Sequence, residues 1–124
     1  MAGELILIVE DNEKNLKLVR DVLQFKRYQT VEATTGEDGV RLAKERRPAL
    51  VLMDIQLPGI DGITALGQLR ADAATLAIPV IAVTASAMTH DRQKIMAAGF
   101  DGYQTKPIKV KEFLEAVRAM LDRK

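Results

Sequence analysis

Two stretches of this chain are apolar without interruption and run straight into acids: Leu5-Ile6-Leu7-Ile8-Val9 before Glu10 and Asp11, and Leu50-Val51-Leu52-Met53 before Asp54. Runs of this length, bounded by turn formers, predict strands buried on both faces, as in a parallel sheet covered by helices. After Asn12, placed to cap a helix, the period changes. Leu16, Val19, Val22 and Leu23, with Leu18 and Phe25, read as one side of a helix over about 13–27, opposite Lys17, Arg20, Asp21 and Gln24. Gln29-Thr30-Val31-Glu32-Ala33 alternates in character, as expected of a partly exposed edge strand. A second helix opens at Thr35-Gly36, carries Val40, Leu42 and Ala43 among charges, and is stopped by Pro48.

The strand ending at Asp54 leads into the turn-rich Ile55-Gln56-Leu57-Pro58-Gly59-Ile60-Asp61-Gly62, then a third helix over about 63–73 with Ile63, Leu66 and Leu69 inward. Ile78 to Thr84 predicts a fourth strand, with Pro79 tolerable only at its start. Residues 85–98 read as a fourth helix, closed by Gly99 in the left-handed conformation. Phe100 to Thr105 predicts a fifth strand. Helix 5 has the cleanest period, with Val110, Phe113, Leu114, Val117 and Leu121 at i, i+3, i+4, i+7 and i+11. Five strands alternating with five helices form a βαβ series, which right-handed crossovers fold into an α/β parallel sheet between two helical layers.

Parallel strands carry their C-terminal ends to one rim, where ligands bind in open α/β sheets. That rim collects Glu10, Asp11, Asp54, Thr84 and, after strand 5, Lys106. Crowded carboxylates drive one another toward protonation unless a cation compensates, and carboxylates with a carbonyl and waters suit Mg²⁺. Lys106 adds an ammonium and Thr84 a hydroxyl, an electropositive surround for a phosphoryl group. Asp54 is the nucleophile this set supports, since a carboxylate can form an aspartyl phosphate. Two plainer readings stay open: Asp54 simply begins a turn, or Lys106 is only its structural ion-pair partner.

Length and composition narrow the alternatives. The 124 residues suit one domain spanning 1–124, able to bury roughly two-thirds of its unfolded surface. With 18 basic and 17 acidic residues the net charge is +1, too small a field to announce a nucleic-acid or membrane-surface protein. Cysteine is absent, which excludes disulfides and thiolate chemistry and agrees with a reducing cytoplasmic home, and His90 is the single histidine. The N-terminus lacks a basic n-region, and no stretch nears the roughly 20 apolar residues of a membrane span. A soluble protein inside the cell is expected.

The segments Val9-Glu10-Asp11-Asn12, Leu52 to Gly62, Pro79 to Ala85 and Thr105-Lys106-Pro107-Ile108 closely resemble the receiver domains of two-component response regulators. The match runs through the chain in order, and among receivers it looks most like stand-alone regulators of the DivK kind. The resemblance implies a doubly wound, flavodoxin-like receiver fold with strand order 2-1-3-4-5. It implies that Asp54 accepts a phosphoryl group from a histidine kinase or histidine phosphotransfer protein. It places Mg²⁺ (or Mn²⁺) on Asp11, Asp54 and the backbone carbonyl of Gln56, with Glu10 assisting through water. It assigns phosphoryl oxygens to Thr84 and Lys106, the switch aromatic to Tyr103, and a cis bond to Lys106-Pro107.

Many receivers carry two aspartates where this chain has Glu10-Asp11, so the longer glutamate bears on metal geometry or affinity. Gln56 and Ser86 fall where the family tunes phosphoryl lifetime. Thr84 moving toward a phosphoryl group would vacate space for Tyr103 to rotate inward, changing the face made by helix 4, strand 5 and helix 5; without the resemblance Tyr103 is an ordinary strand-end residue. Met88 and Met96 are candidates for an adaptable partner surface or for core filling, and His90 reads as solvated. Output through protein contacts is expected, since no DNA-binding or catalytic appendage is read in these residues.

Three competitors share parts of this pattern. A haloacid-dehalogenase-like phosphohydrolase needs a second acid two residues after the nucleophile, where this chain has Gln56. A flavin-binding flavodoxin needs glycine and free N–H groups in the first turn, which here is acidic. A receiver within a hybrid histidine kinase would carry the same motifs; Met1 and the charged ending Asp122-Arg123-Lys124 favour a complete chain.

Overall fold

A computed structural model describes residues 3–85 and 89–123. Ser86 and Met88, and the side chain of His90, lie outside the described residues. The strands are β1 (Leu5–Val9), β2 (Gln29–Ala33), β3 (Leu50–Asp54), β4 (Val80–Thr84) and β5 (Gly102–Thr105). The helices are α1 (Glu13–Phe25), α2 (Gly36–Arg46), α3 (Gly62–Arg70), α4 (Thr89–Ala97) and α5 (Val110–Asp122). All strand pairs are parallel and the order is β2-β1-β3-β4-β5, which puts β2 at the expected edge.

Alternation along the strands divides the core in two. Leu7, Val9, Val51, Met53, Val80 and Ala82 point to one face and pack under Val40 and Ala43 of α2, Leu66 and Leu69 of α3, and Ile95 of α4. Ile6, Ile8, Leu50, Leu52, Ile81 and Val83 point to the other, under Leu16, Val19 and Leu23 of α1 and Phe113 and Val117 of α5. This two-sided burial is why β1 and β3 read as unbroken apolar runs. Each such side chain contributes about 1.5–3 kcal/mol when fully buried.

Helix ends follow their capping residues. Asn12 accepts the Asn15 N–H, Thr35 that of Asp38 and Asp61 that of Thr64, so each side chain satisfies an otherwise orphaned donor. Several expected boundaries move inward. α1 ends at Phe25 because Arg27 turns into the left-handed region (φ 69°), and α2 ends before Arg47 (φ 46°). α3 stops at Arg70, and Arg70 Nη1 donates to the carbonyls of Leu76 (3.0 Å) and Ile78 (2.7 Å). β4 begins at Val80, after Pro79, where the Val80 N–H finds Asp101 Oδ2 (2.8 Å) instead of a neighbouring strand. β5 begins at Gly102, after the turn at Gly99 (φ 111°). Ala85 is outside α4, whose described span starts at Thr89.

Three apolar residues assigned to buried stripes are exposed. Leu18 (39%) and Phe25 (81%) leave the stripe of Leu16, Val19 and Leu23, because at 100° per residue both project toward the far side of α1. Val110 (43%) is the first residue of α5, where the stripe runs past the covered surface. Met96 on α4 is exposed as well. Among the described residues no helix is long and apolar enough to cross a membrane.

Candidate functional site

The carboxyl ends of the central strands converge as parallel topology requires. Asp54 is the last residue of β3 and Thr84 the last of β4; Glu10 and Asp11 follow β1, and Lys106 follows β5. Local hydrogen bonds fix Glu10 and Asp54. Asn12, while capping α1 with its side chain, donates its own N–H to Glu10 Oε2 (3.1 Å). The Gln56 N–H donates to Asp54 Oδ1 (3.1 Å), so Asp54 begins a turn and faces the cleft at once. The loop beyond returns tightly: a Cβ on Gly62 would overlap the Asp54 carbonyl, and Gly59 (φ 76°) would push one into Glu37.

Lys106 sits at the centre of the charges. Its Nζ lies 2.7 Å from Glu10 Oε1 and 3.0 Å from Asp54 Oδ2, and both acids are almost wholly buried, at 4% and 5% exposure. Burial pushes the Glu10 carboxyl above its ordinary value, and neighbouring Asp54 adds to this, against the bonds from Lys106 and the Asn12 N–H. Burial works against the Lys106 charge, yet its bonds to Glu10 and Asp54 prevail and raise its pKa.

Oxygens of Glu10, Asp11 and Asp54 all lie within 4.8 Å of one another. One ammonium cannot neutralise three carboxylates. The unmet charge, the all-oxygen donor set and the exposure of Asp11 fit a hard divalent cation that keeps several waters. The Lys106–Asp54 ion pair raised above is present and Glu10 shares the same ammonium, but one positive charge beside three carboxylates leaves Asp11 without explanation.

Glu10, Asp11, Asp54, Gln56 and Lys106 line one cleft of about 620 Å³. Thr84 is at the same rim but buried, its carbonyl accepting the Lys106 N–H (2.8 Å), and it is not on the cleft lining. Tyr103 is apart, in a separate concavity with Arg92, Gln104, Thr105 and Glu112. The Lys106-Pro107 bond is cis. Sequence reasoning passed over Asn12, Asn15 and Asp61 as cleft residues. For Asn12 and Asp61 the signal was the cap pattern, since an N-cap on a helix that starts at this rim necessarily faces it, and Asn15 follows as the residue whose N–H the Asn12 cap accepts.

Comparison with known proteins agrees with this architecture. The response regulator receiver domain family matches residues 6–118. The polar-differentiation response regulator DivK of Brucella anthropi is 44% identical over 94% of both chains, and that of Brucella ovis 43% over the same shares. Among solved structures, the receiver domain of the sensor histidine kinase PA1611 from Pseudomonas aeruginosa PAO1 is 34% identical. It covers 98% of this chain and 100% of its own, with a TM-score of 0.92, and was crystallised with magnesium coordinated in its active-site cleft. A CheY-like receiver domain protein from Methanospirillum hungatei JF-1 is 29% identical, covering 98% and 95%, with a TM-score of 0.86. Strand order, cleft and kinship point the same way, and this chain belongs to the response regulator receiver domains of two-component systems.

Proposed function

We propose that the chain is a phosphoacceptor whose Asp54 receives a phosphoryl group from a histidine kinase or histidine phosphotransfer protein and passes the signal on by protein contact. The observation that carries this reading is a buried Asp54 carboxylate held between the Lys106 ammonium at 3.0 Å and two further acids within 4.8 Å. An Asp54 oxygen attacks phosphorus; the P–N bond to the donor imidazole breaks, and the departing nitrogen keeps the electron pair and takes up a proton. Lys106 neutralises one phosphoryl oxygen, and the Thr84 hydroxyl at the end of β4 donates to another. Asp11, Asp54 and the Gln56 carbonyl are the residues that would hold Mg²⁺ (or Mn²⁺), with Glu10 in support through water. The chemistry a bound Mg²⁺ supplies is neutralisation of charge on the phosphoryl oxygens.

Drawing Thr84 toward the adduct makes room for Tyr103 to turn inward and alters the surface of α4, β5 and α5, the face we assign to the downstream partner. We read residues 1–124 as one cytoplasmic receiver domain that turns over no external substrate. Gln56, where a phosphohydrolase would need an acid, accords with this.

The test is labelling with radioactive acetyl phosphate. Wild-type protein should incorporate label only with Mg²⁺ present, and Asp54→Asn should incorporate none; label retained in that variant refutes the assignment. The likeness to the PA1611 receiver favours a second reading, a receiver within a larger sensor kinase. A blot of the native cell decides: a band sized for 124 residues supports a stand-alone regulator.

A further inference from the structure

Glu10 does more here than assist a metal through water. Its two carboxylate oxygens are both engaged inside the protein, Oε2 by the Asn12 N–H (3.1 Å) and Oε1 by Lys106 Nζ (2.7 Å), and the Lys106 contact is shorter than the one Lys106 makes with Asp54 (3.0 Å). The side chain reaches Lys106 because it is a glutamate. An aspartate on the same backbone is shorter by one carbon–carbon bond, roughly 1.5 Å, enough to part a 2.7 Å hydrogen bond. Glu10 therefore pins the ammonium inside the acid cluster, where it repels any cation approaching the same oxygens.

We infer that Glu10 is a positioning residue that gates this site: by holding Lys106 among the carboxylates it sets the ammonium against the divalent cation, and it must let Lys106 go before the lysine can meet a phosphoryl oxygen. This rests on the phosphoacceptor reading above and adds a regulator to the same cleft. Shortening residue 10 keeps the negative charge the cation needs while removing the grip on Lys106. The chain with Glu10→Asp then binds Mg²⁺ more tightly than the wild type, by about three- to tenfold, the scale of part of one hydrogen bond to a charged group. The gain passes through Lys106, so Glu10→Asp adds nothing once that lysine is gone.

The experiment is Mg²⁺ titration of the full chain, followed by calorimetry and by backbone amide NMR. It compares wild type, Glu10→Asp, Lys106→Met and the double variant. Thermal unfolding of each shows that it is folded, and the ¹⁵N signal of the Lys106 ammonium reports directly on its contact with Glu10. Tighter binding in Glu10→Asp, loss of the ordered ammonium signal, and a double variant no tighter than Lys106→Met support the gate. Unchanged or weaker binding in Glu10→Asp overturns it, as does the same gain with Lys106 absent. Those results would leave the functional reading standing, whereas wild-type protein that takes up no Mg²⁺, or label retained in Asp54→Asn, would defeat that reading itself.

Discussion

Asp61 performs two tasks at one rim. Its side chain accepts the Thr64 N–H at 2.8 Å, starting α3, and its carboxylate faces the acid cleft. The Thr64 N–H holds its pKa below the ordinary 3.8. A carboxylate whose pKa is lower in the folded than in the unfolded state adds stability above its unfolded value and loses it as pH falls through the folded one. The contribution of Asp61 is therefore intact at neutral pH and disappears in acid below pH 3.8. Asp61→Ala should cost about 1 kcal/mol at neutral pH in urea unfolding. Asp61→Asn keeps an acceptor oxygen without the titration, so its deficit against wild type should shrink as the solution is acidified. A deficit independent of pH would show that the cap is not acting through its charge. Of the cleft's residues, Asp54 and Lys106 were legible because strand ends and turns mark them. The Glu10–Lys106 contact was not, since those residues lie near opposite ends of the chain and only the closed sheet brings them within 2.7 Å.

At the scale of the element, α1 separates what periodicity fixes from what it leaves loose. Leu16, Val19 and Leu23 are spaced three and four apart and are all buried, whereas Leu18 and Phe25 share their hydrophobicity but not their phase. Hydropathy counted without angle places all five in the core; the helical wheel, strictly applied, removes two. Leu23→Ala should then cost about 2–5 kcal/mol, through lost transfer free energy and a cavity under the sheet. Phe25→Ala should stay within about 0.5 kcal/mol of wild type, since the ring is 81% exposed. Denaturation midpoints of the two variants check this, and equal losses would place Phe25 in the core after all. β1 and β3 were legible to the residue, because two-sided burial leaves no alternation to misjudge. The ends of α3, β4 and β5 were not, because they are fixed by side-chain bonds that the hydrophobic pattern does not carry: Arg70 to the Ile78 carbonyl, and Asp101 to the Val80 N–H and to Arg70 across the sheet edge.

Across the whole molecule, the acid cleft and the face proposed for the partner occupy different surfaces joined by one strand pair. Thr84 stands opposite Thr105 in the β4–β5 register and its carbonyl holds the Lys106 N–H, while Tyr103, opposite Ala82, faces Arg92 of α4. The Arg92 guanidinium carbon lies 5.7 Å from the centre of the Tyr103 ring, within cation–π range. That contact favours the present ring position, so an inward turn of Tyr103 must give it up. An exposed contact of this kind is worth about 0.5–1 kcal/mol, so Arg92→Ala should shift the Tyr103 equilibrium toward the inward state by roughly two- to fivefold. Arg92 does not line the acid cleft, so labelling of Asp54 by acetyl phosphate should proceed at the wild-type rate in that variant. Tyrosine ring NMR with and without beryllofluoride measures the first quantity and label uptake the second. An unchanged ring equilibrium in Arg92→Ala would show that α4 does not restrain Tyr103, and the proposed route from Asp54 to a partner would then have to run through β5 and α5 alone.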